Sequence, residues 1–195
     1  LVVEVYPGRV AGPTPPALFE LNNSLPLNLQ LLAARGYAVL QPSMPLGLHG
    51  VAGDPMLDLP KGVLPAVERA IELGVADPEL VFLFGHSFGG FGVYGLLALT
   101  RRFRAAVALA GTADLVSAYG TFDPRDRYED DLALELFQLA LLEVGQGRLG
   151  AAPWRDAERY LRNSPLLYAD RIETPLLIIQ GDLDYVPIQQ GEELF

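Results

Sequence analysis

Leu80-Val81-Phe82-Leu83-Phe84-Gly85-His86-Ser87-Phe88-Gly89-Gly90-Phe91-Gly92 is the stretch on which the fold turns. Leu80–Phe84 is continuously apolar, the pattern of a central parallel strand covered on both faces. It runs straight into Gly85-His86-Ser87-Phe88-Gly89, after which the small-residue segment Phe88–Thr100 reads as a helix. Strand, tight turn with serine at its apex, and helix in immediate succession form the setting in which a strained bend lifts a hydroxyl above a sheet. Gly85 and Gly89 let neighbouring backbone approach where a Cβ would collide, while Gly90 and Gly92 keep the following helix slim against the strand. The helix also turns its free N–H groups and the positive end of its dipole toward Ser87, where negative charge develops in acyl transfer.

Outward from this turn, strand-like and helix-like segments alternate. Leu1–Tyr6 reads as a buried strand, Leu25–Ala34 as a helix stopped by Gly36, and Tyr37–Gln41 as a short strand closed by Pro42. A helix opens at Pro60, with Val63, Val67, Ala70 and Ile71 recurring on one face, and ends at Gly74. Beyond the serine, Ala105–Ala110 reads as a strand and Asp130–Leu142 as an amphipathic helix, followed by a glycine-rich break at Gly145–Gly150. Pro153–Leu161 reads as a short helix, Leu176–Gln180 as a strand, and Pro187–Phe195 as the start of another helix. Repeated strand–helix units predict an α/β fold: one mostly parallel sheet with helices on both faces, without a linker dividing it.

Composition narrows the function. Half of the 195 residues are hydrophobic and 19% are charged, enough apolar content for one compact core. The formal net charge of -10 offers no basic stripe for a phosphate backbone, so nucleic acid is not an expected partner. No apolar run is long enough to span a bilayer, and no membrane partner is expected. The absence of cysteine excludes disulfides, thiolate metal sites and a cysteine nucleophile, and leaves the compartment open between cytoplasm and periplasm or secretion. Leu1 opens inside an apolar run without a Met or a basic leader, from which we expect the biological start to lie upstream.

A serine hydroxyl needs a base to take its proton, and the base needs a carboxylate to hold its tautomer and stabilise its cation. In α/β-hydrolases these follow the chain order nucleophile, acid, histidine, with the acid just after a later strand at the same sheet edge. Leu176–Gln180 followed by Gly181-Asp182-Leu183-Asp184 fits, and both Asp182 and Asp184 are candidates; a turn aspartate capping the next helix accounts for one of them. The chain's two histidines, His49 and His86, both precede this acid, and the eleven residues after Asp184 contain none. Adjacent residues of a tight turn point apart, which argues against His86 as the base of Ser87, and His49 sits in a Gly/Pro loop. The base is therefore expected outside these 195 residues, and the chain is expected to be an α/β-hydrolase fold incomplete at both ends and inactive by itself.

The chain resembles the catalytic domain of the prolyl oligopeptidase family of serine peptidases, which includes dipeptidyl-peptidase and acylaminoacyl-peptidase relatives. The resemblance rests on Val5-Tyr6-Pro7-Gly8, on Gly85-His86-Ser87-Phe88-Gly89-Gly90-Phe91, and on Ala110-Gly111-Thr112-Ala113-Asp114. It continues through Asn163-Ser164-Pro165-Leu166-Leu167-Tyr168-Ala169-Asp170 and Thr174-Pro175 to Gln180-Gly181-Asp182-Leu183-Asp184-Tyr185-Val186-Pro187. The resemblance implies Ser87 as the acylated nucleophile and Asp184 as the triad acid. Val186 follows Asp184 by two residues where the family's Val-Pro stands three after the acid, which keeps Asp182 as runner-up. It further implies that the Tyr6 hydroxyl joins the Phe88 N–H in holding the oxyanion, and that an N-terminal β-propeller belongs to the full-length protein. Phe88, Tyr119 and Phe122 are expected to line the substrate pocket, with Leu115 where an aromatic stands in the family.

These readings predict a serine exo- or oligopeptidase acting on short peptides through an acyl-enzyme, with neither a metal nor an organic cofactor implied and with oligomerisation left open. A carboxylesterase of the same fold, or a non-catalytic α/β-hydrolase domain used for binding, are the alternatives.

Overall fold

The structure is a computed structural model and describes residues 1–12, 28–47, 51–121 and 137–195. Among the described residues, five parallel strands form one sheet in the order β2-β1-β3-β4-β5: β1 (Val2–Glu4), β2 (Val39–Leu40), β3 (Phe82–His86), β4 (Ala105–Leu109) and β5 (Leu176–Ile179). Every pairing is parallel, with Val2 opposite both Val39 and Phe82, Phe82 opposite Ala105, and Ala106 opposite Leu176. Between the strands run α1 (Leu29–Ala33), α2 (Leu59–Glu72), α3 (Phe88–Leu99), α4 (Leu115–Tyr119), α5 (Phe137–Glu143) and α6 (Ala157–Arg162), with a 3-10 segment at Pro165–Arg171, and α7 (Gln189–Leu194) follows β5. The strand order reverses direction between β1 and β3, and in such sheets ligands bind in the crevice beyond the carboxyl ends of the strands at that point. Tyr6 lies just past the end of β1 and Ser87 just past the end of β3, so both sit at this crevice.

The elements follow from local chemistry. In α2, Leu59, Val63, Val67 and Ala70 are buried at helical spacing. The helix begins one residue before Pro60, and its end is turned by Gly74 at φ 72°, which lets Val75 N–H reach the Ala70 carbonyl at 3.0 Å. α3 is apolar all round and buried from Phe88 to Ala98, as befits a helix at the centre of the molecule rather than on its surface. Val3, Val5, Leu83, Ala106 and Ala108 from the sheet close against Val93, Leu96 and Leu97 of α3 and against the apolar face of α2. A second cluster, Met56, Phe91, Leu115, Leu142, Leu149 and Tyr160, lies nearer the serine turn and joins α4, α5 and α6 to it.

The sequence reading missed two short elements, α4 and the 3-10 turn. Neither is long enough to show a periodicity. α4 is fixed at its start from two sides: the Asp114 carboxylate accepts Val116 N–H at 2.8 Å, and Ser164, just ahead of the 3-10 turn, accepts Leu115 N–H at 3.0 Å from across the fold. Of the expected helix Asp130–Leu142, residues 130–136 lie outside the described residues, as do 25–27 of the expected Leu25–Ala34. Among the described residues, no helix is long and apolar enough to cross a membrane.

Candidate active site

β3 delivers Ser87 on a turn with no slack. Ser87 adopts φ 58°, ψ -122°, a conformation that costs an L-residue of order 1–3 kcal/mol and persists only where its surroundings hold it. They do so from both sides. Ser87 N–H donates to the Leu109 carbonyl at the end of β4 at 2.8 Å, and the Ser87 carbonyl accepts Phe91 N–H at 3.2 Å as α3 begins. A Cβ on Gly85 would fall 2.2 Å from the Gly89 carbonyl oxygen, and one on Gly89 would fall 2.3 Å from the Val5 carbonyl oxygen. The glycines expected to permit close backbone approach are thus the points where the turn touches itself and the end of β1. The first N–H groups of α3, including that of Phe88, precede the helix's own hydrogen bonds and are open to an outside acceptor.

The turn opens into a cavity of ≈ 570 Å³. Tyr6 reaches it from the end of β1, Ser87 and Phe88 from the turn, Asp184 from the loop after β5, and Gln146 from the break after α5. Its apolar side is made by Leu115 and Ala118 of α4 and Leu142 of α5, all nearly inaccessible to solvent. The Tyr6 ring is held by the edge of Phe88, with centroids 6.4 Å apart, and by the Arg9 guanidinium 5.6 Å above its face. Arg9 is itself fixed by a two-pronged ion pair to Glu4, a carboxylate only 4% exposed that also accepts Gln41 Nε2 at 3.0 Å. Through Glu4, the partly buried pair and Gln41 tie the chain after β1 to the end of β2, and so set where Tyr6 stands.

The sequence candidates fare differently. Asp184 is half-buried on the cavity wall, its Oδ1 accepting Val186 N–H at 3.1 Å, whereas Asp182 is exposed and does not line the cavity. Phe88 lines the cavity and stacks on Phe91 with centroids 4.8 Å apart. Leu115 also lines it.

Tyr119, expected at the substrate pocket, does not line this cavity. Its buried ring packs edge-on against Trp154 and Tyr160, and its hydroxyl donates to the Glu143 carboxylate. Burial, then that hydrogen bond and the Glu143 charge, push the Tyr119 phenol up to about 12, so it stays a neutral strut. Phe122 and His49 lie outside the described residues. His86 lines the cavity from the last position of β3, but among the described residues no hydrogen bond joins it to Ser87.

Gln146 was not foreseen. The sequence showed only a polar residue between Gly145 and Gly147, a weak signal in a segment that read as a break.

A five-stranded parallel sheet flanked by helices, with a strained serine between strand and helix at its carboxyl edge, is the architecture of an α/β-hydrolase. Comparison with known proteins narrows the class: the model of the prolyl oligopeptidase family matches residues 58–195, and the chain belongs to that family. It is 33% identical over 178 residues to the "uncharacterized peptidase YuxL" of Bacillus subtilis, covering 85% of this chain and 24% of that protein. It is 28% identical over 174 residues to a dipeptidyl-peptidase 5 of Porphyromonas endodontalis, covering 81% of this chain and 22% of that protein. Among solved structures, the uncomplexed Pyrococcus horikoshii acylaminoacyl peptidase shares the fold with a TM-score of 0.68 at 21% identity, over 100% of this chain and 29% of that one. The chain thus spans about a quarter of the length of the curated relatives it matches.

Proposed function

We propose that this chain carries the nucleophile, the acid and the oxyanion donors of a serine peptidase that cleaves short peptides through an acyl-enzyme. The observation that carries the proposal is Ser87 held at φ 58° on a strand-to-helix turn that opens into the same cavity as Tyr6, Phe88 and Asp184. Membership of the prolyl oligopeptidase family and relatives named as peptidases support a peptide as substrate.

In this reading Ser87 Oγ forms a bond to the scissile carbonyl carbon while its proton passes to a histidine. The carbonyl oxygen takes up the negative charge and accepts hydrogen bonds from Phe88 N–H and the Tyr6 hydroxyl. Two preset donors aimed at a developing charge are worth several kcal/mol. The C–N bond then breaks, the histidine returns the proton to the departing amine, and water hydrolyses the Ser87 ester by the same proton path in reverse. Asp184 orients the imidazole; its place on the cavity wall favours it over exposed Asp182. Triad order puts the histidine after Asp184 and hence beyond residue 195, in a larger protein that also carries the propeller domain. The apolar wall of Leu115, Ala118 and Leu142 suits an uncharged side chain next to the scissile bond.

A fluorophosphonate probe tests this on the full-length protein. Labelling at Ser87, its loss in Ser87→Ala and its steep slowing in Asp184→Asn but not in Asp182→Asn are expected. Unchanged labelling of Ser87→Ala would end the proposal, and turnover of simple esters without aminoacyl amides would remove the peptide from it.

A further inference from the structure

The break after α5 is a built turn. The Ala140 carbonyl accepts Gly145 N–H at 2.8 Å, that of Leu141 accepts Gly147 N–H at 2.9 Å, that of Leu142 accepts Leu149 N–H at 3.0 Å, and that of Glu143 accepts Gly150 N–H at 2.8 Å. The last carbonyls of the helix are therefore all taken by the chain that folds back under them. The close fit needs glycine, since a Cβ on Gly147 would lie 2.6 Å from the Leu142 carbonyl oxygen. Between the two glycines the turn holds out a single long polar side chain, that of Gln146. Its Nε2 donates to the Tyr6 hydroxyl at 2.6 Å, across 140 residues of sequence. Both residues line the cavity that Ser87 opens into.

An amide nitrogen has protons to give and no lone pair to accept with. A tyrosine hydroxyl facing one must use an oxygen lone pair there and point its own proton elsewhere. With the ring fixed by Phe88 and Arg9, the hydroxyl's remaining freedom is rotation about its C–O bond, and Gln146 removes much of it. We propose that Gln146 is a positioning residue: it occupies the acceptor side of the Tyr6 hydroxyl so that the Tyr6 proton faces the oxyanion. Accepting a hydrogen bond also polarises the O–H and makes it a better donor. The inference rests on the reading of Tyr6 as an oxyanion donor and goes one step beyond it, to what aims that donor.

A double-mutant cycle on the full-length enzyme tests it, with steady-state kinetics on a chromogenic aminoacyl amide and thermal melting of every variant. Gln146→Glu keeps the shape but presents a carboxylate that draws the Tyr6 proton toward itself. Its expected effect is a fall in kcat of about tenfold or more with KM little changed, since the lost interaction belongs to the transition state. Gln146→Leu, which removes the donor without offering an acceptor, is expected to lose less. In a Tyr6→Phe background neither substitution should lower kcat further, because there is no hydroxyl left to aim. Wild-type kcat in Tyr6→Phe would overturn the reading of Tyr6 itself. A slow Tyr6→Phe, combined with Gln146 variants that are either fully active or additive with it, would overturn this inference alone. If Gln146→Glu melts early, Gln146→Leu carries the same cycle.

Discussion

Gly89→Ala puts a methyl group where the serine turn presses on the end of β1. The new Cβ would sit 2.3 Å from the Val5 carbonyl oxygen, where ordinary contact begins at 3.4 Å. About 1 Å must be found, and no rotamer can supply it, because an alanine methyl has none and the obstacle is backbone. Either the start of α3 or the end of β1 must yield. The first carries Ser87 and Phe88 N–H, and the second leads directly into Tyr6, so any relief separates the groups proposed to meet around one carbonyl. A misplacement of about 1 Å in such a constellation costs on the order of a hundredfold in rate. Overpacking of this kind costs about 1–3 kcal/mol in stability, offset in part by alanine's better helix propensity. The assay is the second-order rate of fluorophosphonate labelling on the full-length protein, beside a thermal melt, with Gly12→Ala as control because nothing lies within 4 Å of its Cβ. Labelling within twofold of wild type at an unchanged melting temperature would refute the reasoning that the turn is wedged against β1.

Two further outcomes concern stability. Burial by itself would raise the Asp54 carboxyl from its ordinary value of 3.8, but hydrogen bonds from Arg162 and Asn163, with the charges of Arg162 and Arg159, outweigh it and hold the group lower. The unfolded chain therefore binds the proton first as pH falls, so the stabilisation is complete above about pH 4 and is lost as pH drops through the folded-state value. Asp54→Asn should flatten the acid limb of the melting temperature against pH, and an unchanged limb would dismiss this role. The Tyr94 hydroxyl is buried and finds no hydrogen-bond partner among the described residues, and burial pushes its phenol up to about 12. Tyr94→Phe removes an unsatisfied polar group and should be neutral or stabilise by about 1 kcal/mol, read by denaturant unfolding; a clear destabilisation would reveal a partner.

Sequence alone carried the serine turn, because everything that makes it is local. An apolar run, glycines before and after the serine, and a glycine-rich start to the following helix act through backbone sterics over about a dozen residues. Chain order likewise brought attention to the loop after β5, and the alternation of apolar segments to a parallel sheet. It ranked Asp184 over Asp182 only through the family resemblance, since two residues of one loop differ mainly in which way the folded loop turns them. It also pointed to Tyr119 for the pocket, whereas Glu143, Trp154 and Tyr160 hold that ring off the wall of the cavity described.

Tertiary structure decided where Asp182, Asp184 and Tyr119 lie relative to the cavity, and the pairing of Gln146 with Tyr6 above all. Those two residues meet only because β1 and the turn after α5, 140 residues apart in sequence, close on the same crevice. A contact between side chains so far apart in sequence depends on how each intervening element packs, and leaves no periodicity or motif at either end to announce it.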